Sequence, residues 1–154
     1  MKRILITAVL IFSLLLCACA QGEPITSQEF SAVMAEKGFT VEDHTEYLDQ
    51  SLPESRDAER IKAWGEFFVC FDKYYDAESA EEAFAALESY YEARGECKRI
   101  YNDGRYMHYE FTDYDGTEKA YILSRLENTL IEVSANIEFA EEAKRLLEEL
   151  GYDR

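Results

Sequence analysis

The sequence predicts an α+β domain: an antiparallel sheet of four to five strands with about three helices packed on one face. Three observations predict it. Apolar residues recur at helical spacing in three segments that carry capping residues or stop glycines. Stretches of period-two alternation, rich in Val, Ile, Tyr and Phe, lie between them. The order helix, strand, strand, helix, three strands, helix groups the strands into hairpins rather than alternating them singly with helices.

The chain divides into a leader (1–18), a short tether (19–25) and one domain (26–154). In the leader, Lys2 and Arg3 form a charged start and Ile4 to Leu16 a 13-residue apolar stretch. That stretch falls short of the roughly 20 residues a helix needs to span hydrocarbon, and small residues follow it, as in a secretory signal. Leu16-Cys17-Ala18-Cys19 resembles the lipobox of bacterial lipoproteins, with Leu at −3 and a small residue at −1 before the modified cysteine. Counting back from Cys17 would instead put Leu16 at −1, so the register selects Cys19. The resemblance implies cleavage before Cys19, a diacylglyceryl thioether on its sulfur, and a protein held on the extracytoplasmic side of a cell membrane. Two or three buried acyl chains anchor durably where a single one does not. Loss of Lys2 and Arg3 takes the formal charge from −16 to −18, so like charge keeps the body off anionic headgroups.

Thr26 with Glu29 reads as a capping box, followed by Phe30, Val33 and Met34 at helical spacing and a stop at Gly38. Phe39 to Asp43 looks like a first strand, and Asp49 to Asp57, with Pro53, a polar loop. Arg60 to Asp72 reads as one long central strand, with Ile61, Ala63, Gly65, Phe67, Val69 and Phe71 on one face. Ser79 with Glu82 is a second capping box, opening a helix with the stripe Ala80, Ala83, Phe84, Leu87 and Tyr91 and a stop at Gly95. Arg105 to Thr112 and Thr117 to Arg125 form a hairpin about Asp115-Gly116, and Thr129 to Ser134 adds a third strand after Glu127-Asn128. A last helix, Ile137 to Leu150, buries Phe139, Ala143, Leu146, Leu147 and Leu150, with Gly151 as its stop.

The lipobox, the turn Lys37-Gly38-Phe39, the segment RLENTLIEV (Arg125 to Val133) and the ending Leu150-Gly151-Tyr152 are similar to small uncharacterised lipoproteins of Gram-positive bacteria. Those motifs are structural punctuation, so the resemblance implies no catalytic residues.

The 32 acidic residues against 16 basic ones exclude nucleic acid, whose phosphates need Lys and Arg. No nucleophile elbow, phosphate-cradling glycine loop or His-x-x-x-His pair is present, so no cofactor is expected. Cys70 and Cys97 make an even pair in a compartment where disulfides persist; a bridge and two buried thiols both fit. Two cysteines with the scattered His44 and His108 are too few for a zinc site. Asp113, Asp115 and Glu118 echo a calcium loop, but they are also what a tight hairpin requires. His108 and Glu110, two apart on a strand, could share a face for acid–base work.

Eleven tyrosines are many for 154 residues. Tyr101, Tyr106, Tyr109, Tyr114 and Tyr121 fall in the hairpin region, where they serve either as sheet packing or, with Trp64, as a surface for a protein, peptide or glycan partner. The leading expectation is therefore a non-enzymatic binding or interaction module tethered through Cys19. A calcium-binding surface protein and a cell-envelope enzyme are the alternatives.

Overall fold

Thr26 opens the first helix as its sequence spells out. Its Oγ1 accepts from the Glu29 N–H (3.1 Å), and the Glu29 carboxylate accepts from the Thr26 N–H (2.9 Å). The computed structural model describes residues 23–48, 58–93, 95–102, 105–113 and 118–152, with the backbone alone over 95–102 and 111–113. Helix α1 (Ser27–Glu36) buries Phe30 and Met34 and ends where Gly38 takes the left-handed conformation (φ +87°). There the Phe39 N–H donates to the Met34 carbonyl (3.0 Å), and β1 (Thr40–Asp43) begins. A single 3-10 turn, Thr45–Tyr47, follows.

The long strand expected over 60–72 is instead a hairpin, β2 (Glu59–Trp64) and β3 (Phe68–Lys73). Ile61 opposes Phe71 and Ala63 opposes Val69. The three-residue connection, Gly65 to Phe67, preserves the odd–even count, so all four side chains stay on one face and period-two counting could not detect the break. The reversal depends on Gly65: a Cβ there would lie 2.8 Å from the Phe39 ring. Helix α2 (Ala77–Glu92) starts one turn earlier than expected, because Asp76 rather than Ser79 is the cap. Asp76 Oδ1 accepts from the Ser79 N–H at 2.8 Å, which holds its carboxyl below the ordinary aspartate range.

Four strands follow: β4 (Gly95–Asn102), β5 (Tyr106–Asp113), β6 (Lys119–Leu126) and β7 (Thr129–Asn136). The sheet is antiparallel throughout, seven strands in the order β1-β2-β3-β7-β6-β5-β4, rather than four or five. β4 was not expected. Its residues GECKRIYN carry charges where alternation would need apolar side chains, which suits an edge strand paired only to β5. The connection through α2 carries the chain to that far edge, and β5 to β7 return until β7 pairs with β3. After a 3-10 turn (Ile137–Phe139), α3 (Ala140–Leu150) buries Ala143, Leu146, Leu147 and Leu150.

The helices do not share a face. α1 and α3 cover Ile61, Val69, Phe71, Ile122, Ile131 and Val133, whereas α2 covers Met107, Tyr109, Leu123 and Leu130 on the other side. Leu130 next to Ile131, and Ile122 next to Leu123, make β6 and β7 apolar on both faces, and both faces then need cover. Tyr152 closes the α1/α3 side. Its ring is fully buried, its hydroxyl meets Thr129, and its carbonyl accepts from Tyr106 (2.8 Å) and Ser124.

Candidate functional site

On its face of the sheet, α2 packs mainly over β4 to β7. Among the described residues, nothing larger than the 3-10 turn Thr45–Tyr47 stands over β1 to β3. Alternation and register decide which side chains lie on this side of the strands. Glu42, Lys62, Cys70 and Glu132 form one row across four strands. Trp64 and Phe68 lie in the row on one side, Arg60 and Asp72 in the row on the other.

The Trp64 side carries a continuous aromatic strip. Phe68 meets Trp64 (ring centroids 5.8 Å apart), Trp64 meets His44 (5.5 Å), and His44 meets Tyr47 (5.1 Å). Tyr47 is 72% exposed and Trp64 37%. The 3-10 turn makes this possible. The Thr45 N–H donates to Asp43 Oδ1 (2.9 Å), and the Arg60 N–H donates to Thr45 Oγ1 (3.0 Å), which brings Tyr47 back beside β2. His44 Nε2 lies 3.2 Å from Glu42 Oε2. Three exposed acidic residues belong to the same segments: Glu42 contacts His44, Glu46 is in the 3-10 turn with Tyr47, and Glu66 is in the connection between Trp64 and Phe68.

Behind it lies an ionic floor. Arg60 grips Asp72 through two bonds of 2.7 Å, and Asp72 also accepts from the Tyr74 hydroxyl (3.3 Å) and lies 3.8 Å from the Cys70 sulfur. Asp72 holds the Arg60 guanidinium firmly charged. Burial, with help from the Asp72 carboxylate, pushes the Cys70 thiol well above its ordinary value. Glu132 accepts a hydrogen bond from the Tyr91 hydroxyl, yet burial still raises its carboxyl pKa. Burial likewise raises the Tyr74 and Tyr91 hydroxyls, with Asp72 and Glu132 adding to it. A thiol kept protonated is a poor nucleophile. The floor is suited to holding shape and charge beneath a binding face.

Trp64 therefore stands on an accessible surface, but Tyr106, Tyr109 and Tyr121 of the expected patch do not gather around it. Tyr106 and Tyr109, three apart on β5, point to opposite faces and are both buried; Tyr109 donates to Glu92 at 3.2 Å. Tyr121 is half-buried against the Tyr91 ring (4.9 Å). Strand alternation sends neighbouring tyrosines into two different cores. The side chains of Tyr101 and Tyr114 lie outside the described residues. So does Cys19, with the whole leader and the start of the tether.

Cys70 is a free, buried thiol. The bridge to Cys97 is corrected by topology: β3 and β4 are four strand steps apart, about 19 Å along the sheet against the roughly 7 Å limit for a disulfide. Of the calcium alternative, the Asp113 side chain and Asp115 lie outside the described residues. Glu118 is exposed, with its carbonyl accepting from the Ile137 N–H (2.7 Å). Among the described residues no group of three His, Cys, Asp or Glu is placed to hold a metal.

His108 and Glu110 do share the α3 side of β5, with Nε2 3.7 Å from Oε1. His108 is buried, and Glu110 is paired with Lys144 at 2.9 Å. A cleft of about 240 Å³ opens there between α3 and the sheet, lined by Glu110, Ile122, Ile137 and Lys144 among others.

His44, Tyr47 and Glu42 were missed as site residues. Asp43-x-Thr45 carried the signal, since an Asp side chain accepting from the N–H two residues on marks a turn that folds Tyr47 back. Comparison with protein-family models, curated proteins and solved structures finds no match to this chain.

Proposed function

We propose that the protein is a lipid-tethered extracytoplasmic binding module, anchored through Cys19 and engaging its partner through the open face of β1 to β3. The observation that carries this reading is the strip Tyr47–His44–Trp64–Phe68, four rings in contact, with Tyr47 and Trp64 exposed and His44 and Phe68 half-buried, on the side of β1 to β3 where no helix of the described residues stands. Exposed aromatics of this kind supply most of the energy of recognition surfaces at low entropic cost. The protonated Cys70 thiol beneath it favours binding over nucleophilic chemistry. Membrane attachment rests on the lipobox-like Leu16-Cys17-Ala18-Cys19.

Two measurements on cells test it. Labelled palmitate is incorporated into the wild-type chain and not into Cys19→Ala; equal labelling removes the anchor. A photoreactive amino acid placed at Tyr47 or Trp64 gives a discrete cross-linked product, whereas the same group at Glu138, on another surface, gives none. Equal products from all three positions, or none from any, would remove the binding face.

A further inference from the structure

We infer that the occupant of this face is a cationic segment of another polypeptide, with Lys or Arg side chains seated over Trp64 and Tyr47 and paired with the flanking carboxylates. The inference rests on the reading of the aromatic strip as the binding face and names its partner's chemistry. Aromatic faces are electron-rich and attract cations, with Trp and Tyr the strongest attractors. The exposed charges carried by the segments that present the rings match that preference. Glu42 sits in the neighbouring row and holds His44, Glu46 is the middle residue of the turn that presents Tyr47, and Glu66 lies in the hairpin between Trp64 and Phe68.

Against these three carboxylates the described residues of β1 to β3 on this side offer one accessible cation, Lys62, cross-strand from Glu42, because Arg60 is consumed by Asp72. The chain as a whole carries −16, which steers cations inward and repels an anionic membrane. A neutral glycan would stack on the rings and donate hydroxyls to the carboxylates, but it gains nothing from their net negative charge, which a cation does. Together the rings and the acids fit a basic peptide.

The chain contains a single tryptophan, so Trp64 emission reports this face alone. Full-length protein in phosphatidylcholine vesicles is titrated, at near-physiological salt, with a peptide of alternating Arg and Gly. A saturable change in emission is expected, with none from the matching Glu-Gly peptide. Tyr47→Ser weakens binding by roughly 2- to 5-fold, the loss of one exposed cation–π contact. Glu42→Gln with Glu46→Gln weakens it further, while Glu138→Gln with Glu142→Gln, the same charge removed from a different surface, leaves it unchanged. All these positions are exposed, so the variants fold.

Equal weakening by both Glu pairs would mean bulk charge attraction and would overturn the inference. A response to a neutral oligosaccharide or to phosphatidylglycerol vesicles, without one to the Arg-Gly peptide, would overturn the cationic partner and leave the binding face standing. No change of emission with any probe would overturn both.

Discussion

Removing the Asp72 carboxylate exposes how the floor beneath the binding face is held. Asp72→Ala deletes the acceptor of both 2.7 Å bonds from Arg60 and of the bond from the Tyr74 hydroxyl. Breaking a buried ion pair by removing one partner costs about 3–5 kcal/mol, because the other charge is stranded. The Arg60 side chain retains 32% exposure against 5% for Asp72, so water reaches the stranded guanidinium from one side. That places the loss near the lower end, about 3 kcal/mol. For a domain of this size the corresponding drop in Tm is on the order of 10 °C. Replacing both partners, Arg60→Met with Asp72→Leu, leaves no stranded charge and should return stability to within about 1 kcal/mol of wild type. Urea unfolding followed by circular dichroism measures all three proteins. A loss below about 1 kcal/mol for Asp72→Ala, or a double variant no better than the single one, would refute the stranded-charge argument.

Three further outcomes follow from the same packing. Glu132 has a raised carboxyl pKa in the folded protein, so its contribution is fully present below the ordinary value near 4.5 and is lost as pH rises through the folded value. Glu132→Gln, which still accepts from Tyr91, should therefore be more stable than wild type at neutral pH, by a margin that shrinks toward pH 4.5; a margin independent of pH would contradict this. The Cys70 thiol should resist alkylation at pH 8 in the native protein and react promptly in urea, as peptide mapping by mass spectrometry would read; fast native labelling would mean the thiol is not buried as described. Tyr152→Ala should lose about 3–5 kcal/mol in urea unfolding, in the range of other buried aromatic deletions, and Tyr152→Phe only about 1 kcal/mol for the bond to Thr129. Equal losses for the two would show that the ring contributes little.

Much of the fold was legible because local chemistry announces it. The Thr26–Glu29 box, the β5–β7 meander and the apolar stripe of α3 each follow from residues within a few positions of one another. The site was legible only at Trp64. Its companions His44 and Tyr47 come from a short 3-10 turn after β1, and only folding brings them beside β2. The tyrosines misled because density in the sequence says nothing of which face each occupies once strands pair.

By itself the sequence determined an acidic α+β chain with an apolar N-terminal segment, the capping box of its first helix, the apolar stripes of its helices and the alternation within β5 to β7. Those properties depend on near neighbours. Tertiary structure alone decided that 60–72 reverses at Gly65, that charged β4 closes the far edge, and that the helices take opposite faces. It also set Cys70 four strands from Cys97 and, among the described residues, placed only a 3-10 turn on the α2 side of β1 to β3. Each of these depends on which strands pair across long stretches of chain, a choice made by burying both faces of one sheet at once.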